Sequence, residues 1–113
     1  MNRLIQSALA ALLMSVACVA TASEATGRVA YIVVRDSDGL IYVELDSSRT
    51  GKPACAANQN YFMIKDETSL SGRRTHATLL AAKLSGLRVT IWGTGACTRW
   101  GDGEDIAAVR IAD

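Results

Sequence analysis

Reactive groups are scarce in this chain. It has one histidine, one proline and three cysteines in 113 residues. His76 stands alone, so no pair of imidazoles can hold a metal. No Ser–His–acid order surrounds it either. The absence of a C-x-x-C excludes the usual dithiol redox pattern. Charge bias is also missing. The formal net charge is +1, and a neutral domain is not a general nucleic-acid binder. No internal repeat or low-complexity run follows the first 22 residues. With no base–nucleophile pair and no ligand cluster, the chain is read as a non-enzyme. No catalytic residue, metal or cofactor is assigned to it.

What is present first is a targeting segment. Arg3 precedes a mostly apolar run, Leu4 to Val19, which Gln6 and Ser7 interrupt. Ala20-Thr21-Ala22 follows as an A-x-A cleavage site. The run is short and broken for a membrane span. Cys18 raises the question of lipid attachment, but Ser15 stands where that pattern needs a leucine-like residue. Ordinary cleavage after Ala22 is therefore expected. It leaves residues 23–113 as a single periplasmic or secreted domain, without membrane attachment. Basic and acidic residues balance once Arg3 is gone. Cys55 and Cys97 then remain, and two cysteines in a small exported domain read as one disulfide. Its loop closure is worth roughly 4 kcal/mol in the chain-entropy model.

The stretch Ser69 to Cys97 organises the remainder. Ala77, Leu80, Ala81 and Leu84 recur at i, i+3, i+4, i+7 and predict a helix with that face, widened by Leu79, against the core. Leu80 lies at the centre of the face. Ser69 or Ser71 can cap the first turn. Gly86 suits the left-handed position after the last. Val89 and Ile91 then alternate with polar residues as a strand. Upstream, Thr26 to Arg35 is apolar on both sides, which reads as a central buried strand. Asp36-Ser37-Asp38-Gly39 turns the chain into a second strand, Leu40 to Leu45. Tyr61 to Lys65 makes a short third strand and Ile106 to Ile111 a last one. The expected fold is mainly β with one helix (α+β). Its order β-β-β-α-β-β is compatible with a small OB-like five-stranded barrel.

Several motifs resemble chemistry. Asp36-x-Asp38-Gly39 has its glycine at the fourth position, where a calcium loop needs it at the sixth. Gly93-x-Gly95 follows a strand but opens no helix, so it is no dinucleotide loop. Asp102, Glu104 and Asp105 read as a solvated acidic turn. Trp92 and Trp100 bracket Cys97. Such rings can stack on sugars, although filling a core or subunit contact is their commoner role. Arg35, Asp36, Ser37 and Asp38 offer a donor, two acceptors and a hydroxyl within four residues. That inventory suits sugar hydroxyls, and it also suits a merely solvated turn.

The hairpin G-L-I-Y-V, the segment P-A-C, the helix T-L-L-A-A-K-L-S-G, the strand R-V-T-I-W-G and a second cysteine together span most of residues 27–111. In this order the chain resembles small exported bacterial proteins related to the B subunit of subtilase cytotoxin and the pertussis-like toxin B subunits. The resemblance implies an exported barrel that binds a glycan or cell-surface receptor and assembles as a homopentamer. It transfers no sugar-contacting residue to a position here. The rival expectation is a small secreted inhibitor or structural envelope protein of the same fold with a protein partner.

Overall fold

One strand takes part in both halves of the sheet. β1 (Glu24–Val34) pairs antiparallel with β4 (Arg88–Gly93) along its first five residues. From Val29 onward it pairs antiparallel with β2 (Ile41–Leu45). The computed structural model describes residues 22–112. In it, β3 (Phe62–Met63) joins β2 to β5 (Glu104–Ala112), and β5 returns to β4. The strands therefore close a barrel in the order β1-β2-β3-β5-β4. The β3–β5 pairing is parallel and the other four are antiparallel. With one helix, α1 (Leu70–Ser85), between β3 and β4, this is a mainly β, α+β fold of the small OB-like type.

The expectation that β1 is buried on both sides does not hold. Val29 faces Leu45 and Tyr31 faces Glu44, so Ala30 is an extra residue in the ladder. Such a bulge reverses the alternation of side chains and sharpens the strand's twist. Ala25 and Val29 point into the core before it, and Ile32 packs on the core after it. Tyr31 and Val34 are exposed. The bulge's Ala30 carbonyl accepts from the Lys83 ammonium at 3.0 Å, which ties β1 to the helix.

Helix α1 begins and ends where its sequence indicates. The Ser69 hydroxyl accepts from the Gly72 N–H at 3.0 Å. Gly86 ends the helix at φ 70°, and its N–H donates to the Ala82 carbonyl. The buried face, however, is not the predicted one. Gly72, Leu79 and Ala82 face the barrel. Leu80 is 41 % exposed and Leu84 is 87 % exposed. The helix is apolar on two opposite sides, and the side with fewer large residues turned inward. A Cβ on Gly72 would lie 1.9 Å from the Asp66 carbonyl oxygen, so glycine there lets the turn before the helix fold back over its first turn. Leu79 and the small Ala82 are the helix's contribution to the core.

The core unites Val43, Leu45, Phe62, Val89 and Ile91 from the strands with Leu79 and Ala82 from the helix. Outside it, Cys55 in the short 3₁₀ turn Ala54–Ala56 is bonded to Cys97 in the β4–β5 loop, with Cα atoms 6.2 Å apart. No helix among the described residues is long and apolar enough to cross a membrane. The expected targeting segment, apart from Ala22, lies outside the described residues.

Candidate functional site

At the β1–β2 turn the chain opens a shallow cleft. Arg35, Leu40, Tyr42, Tyr61, Met63 and Trp100 line about 120 Å³. The turn itself is set by hydrogen bonds from the Gly39 N–H to the Arg35 carbonyl and from the Arg35 N–H to the Leu40 carbonyl, both 2.8 Å. Gly39 sits at φ 73°, a conformation that costs glycine nothing. The turn brings Asp38 back onto Arg35, whose Nε and Nη2 donate to the carboxylate at 2.9 and 2.6 Å. So clamped, the Arg35 guanidinium lies 4.5 Å from the centre of the Trp100 ring, within cation–π range.

The tyrosines continue this surface. Tyr42 and Tyr61 lie with ring centres 5.1 Å apart, and Tyr31 meets Tyr42 edge-on at 6.3 Å. Each flanking phenol donates to a carboxylate, Tyr61 to Asp102 and Tyr31 to Glu44. Burial pushes the Tyr61 phenol up to about 12, and the bond to Asp102 adds to the effect. Tyr31 is pushed up to about 12 chiefly by its bond to Glu44. The Arg35 pair holds the Asp38 carboxyl well below the usual carboxylate range. At neutral pH the cleft thus carries the protonated Tyr61 phenol, a fixed ion pair and an exposed indole. Those groups can stack against a ring and exchange hydrogen bonds with hydroxyls.

The structure separates the residues singled out from sequence. Arg35 and Trp100 come together in the cleft, and Asp38 stands behind Arg35. Asp36 and Ser37 are exposed on the turn but do not line the cleft. Trp92 belongs elsewhere. It sits on β4 opposite Glu24 and Ala108, with the Arg110 guanidinium 5.4 Å from its ring centre. Neither tryptophan fills the barrel core, the commoner role for such residues: Trp92 is half-buried and Trp100 is 43 % exposed. Tyr42 and Tyr61 were missed because each reads as an ordinary strand residue. Only the tertiary pairing of β2 with β3 puts them side by side.

A second polar cluster lies at the end of the barrel, and there the solvated reading of the acidic turn fails. Glu104 and Asp105 are fully buried. Glu104 Oε1 accepts from Arg49 Nη2 at 2.5 Å, and Oε2 accepts from the Gly95 N–H at 2.8 Å and the Ser23 N–H at 3.2 Å. The Ser23 hydroxyl joins the same carboxylate and accepts from Arg49 at 2.8 Å. Arg49 also donates to the Tyr61 carbonyl at 2.8 Å and lies 3.9 Å from the centre of the Phe62 ring. Gly93 makes room, since a Cβ there would come within 2.1 Å of the Glu104 carboxyl. Asp105 accepts from the Thr98 and Arg99 N–H groups at 3.0 and 3.2 Å, which fixes the loop that carries Cys97. Arg49, in a polar loop, gave no sequence signal of this role.

Fold and site together define a small OB-like α+β barrel stapled by one disulfide, with an aromatic cleft at one hairpin turn. No protein-family model, curated protein or solved structure matches the chain.

Proposed function

We propose that the chain is an exported, non-enzymatic binding module that takes glycans in the Trp100–Arg35 cleft and acts as an oligomer. The observation that carries this reading is the grouping of Trp100, Tyr42 and Tyr61 around Arg35 on an accessible surface. A sugar presents an apolar ring face and a rim of hydroxyls, and this cleft offers an indole face with polar atoms at its edge. Its volume of about 120 Å³ is below the ~300–1,000 Å³ of drug-sized pockets. Such a site holds part of one sugar ring and binds weakly alone. Several copies in one assembly raise the avidity without new contacts.

The outer side of α1 supports assembly. Leu70, Leu80 and Leu84 are exposed large apolar residues on one helical stripe, and a second copy of the chain is the occupant we assign to it. Resemblance to the toxin B subunits points to five copies. The Cys55–Cys97 bridge and the A-x-A segment ending at Ala22 support export to the periplasm or medium.

The test is a glycan array on the disulfide-bonded protein, with its native mass measured alongside. Arg35→Ala and Trp100→Ala are expected to lose binding with unchanged melting, while Trp92→Ala and Ser37→Ala keep it. Leu84→Asp is expected to give a monomer with reduced avidity. A protein that binds no glycan at all would favour the secreted inhibitor or envelope role.

A further inference from the structure

We propose that the new amino terminus made by cleavage between Ala22 and Ser23 is a structural group, a second cationic partner for the buried Glu104 carboxylate. The inference rests on the export reading, and it goes beyond it. Burial changes abruptly at this bond. Ala22 is exposed, whereas Ser23 is 1 % exposed. The Ser23 nitrogen lies 3.2 Å from Glu104 Oε2. The other carboxylate oxygen, Oε1, already holds Arg49. One oxygen therefore has a guanidinium and the other has only amide donors, from Ser23 and Gly95.

The covalent step is hydrolysis by a processing peptidase. The Ala22–Ser23 C–N bond breaks, water gives its oxygen to the Ala22 carbonyl carbon, and its two hydrogens complete the new carboxyl and amine. The Ser23 amine then takes a proton from solvent. An amide donor thus becomes an ammonium, and a charge-assisted hydrogen bond is about twice as strong as a neutral one. Position decides that only this cut works. Ala22 packs its carbonyl close over Gly51, and its removal opens the ammonium to water on that side for its remaining donors. A chain that keeps Ala22 has an amide and not an ammonium at Ser23.

The charged groups facing the ammonium are Glu104 from β5 and Arg49 from the loop after β2, with Glu24 next in the chain. Arg49 opposes the new charge, but its own guanidinium is bound to Oε1. The pairing raises the affinity of the amine for its proton. Its stabilisation is therefore full below the ordinary α-amino range of about 7.7–8.0 and fades as pH rises above it.

Two purified, oxidised proteins test this: one beginning at Ser23 and one that retains Ala20-Thr21-Ala22. At pH 6 the Ser23 form is expected to melt roughly 4–8 °C higher, with the gap closing by about pH 10 as the amine loses its proton. Acetylating the Ser23 amine is expected to remove the gap, and so is Glu104→Gln. If the glutamine variant does not fold, the acetylated form carries the same test. Equal melting of the two forms, or a gap indifferent to pH, overturns the pairing. Intact-mass analysis of the natively exported protein judges the export reading separately. Retention of residues 1–22, or a lipid on Cys18, overturns that reading whatever the melting shows.

Discussion

Two arginine–carboxylate pairs in this molecule have almost the same length and opposite roles. Arg49–Glu104 spans 2.5 Å with side chains 1 % and 0 % exposed, and Arg35–Asp38 spans 2.6 Å with side chains 36 % and 37 % exposed. The first is sealed by Phe62, Ser23 and Gly95, so neither charge can find water if its partner leaves. Burial pushes the Arg49 guanidinium down, and Glu104 works against that. The second pair loses little on breaking, because solvent replaces each partner. Equal geometry therefore says nothing about worth. Desolvation makes Arg49–Glu104 part of the barrel and leaves Arg35 available to a ligand.

The comparison breaks first at Glu104. Glu104→Ala leaves Arg49 buried and unpaired and is expected to cost about 3–5 kcal/mol in denaturant unfolding. The double change Arg49→Met with Glu104→Leu is expected to cost less than that single one, since no charge is then left alone. A double variant at least as damaged as the single would show that hydrogen bonds to Ser23 and Gly95 matter more than charge.

Next comes the Cys55–Cys97 bridge. Cys97→Ala is expected to cost roughly 2–5 kcal/mol, and peptide mapping without reductant should return Cys55 and Cys97 in one fragment. The helix sharpens the contrast between sealed and open positions. Leu79→Ala is expected to cost about 2–5 kcal/mol through a cavity. Leu80→Ala, measured on dilute monomer, should stay within about 0.5 kcal/mol. The reverse order would put the helix the other way round. Smallest is Arg35→Ala, for which unchanged melting is expected at neutral pH. A clear loss of stability there would mean the surface pair is structural after all.

Much of the architecture was readable from pattern. Alternation, turn residues and caps placed five strands and a helix in the right order, and the cysteine count paired Cys55 with Cys97. What escaped depended on tertiary facts. A helix with leucines on two sides does not announce which side a barrel will accept, and only the packed structure shows Leu79 and not Leu80 in the core. The bulge at Ala30 has no residue signature. Glu104 looks like a turn residue because its partners, Ser23 and Arg49, come from distant parts of the chain, and Asp105 looks like one because its partners Thr98 and Arg99, though near in sequence, show no pattern that marks a buried acceptor. Half the cleft was visible, as Arg35 and Trp100, but nothing local said that these two would meet or that Trp92 would not.

The barrel's only parallel seam is short: Phe62 with Glu104 and Met63 with Asp105. Phe62 and Glu104 lie equally far beyond the two bridged cysteines, whose separation is 42 residues. Once Cys55 and Cys97 are joined, the helix and β4 no longer count toward the loop that must close before the seam can form. The effective loop falls to about 15 residues, which lowers the closure cost by roughly 1 kcal/mol. Oxidation thus acts on the order of folding as well as on its endpoint. The bridge places the two strands of the seam within a short loop of each other before either has paired.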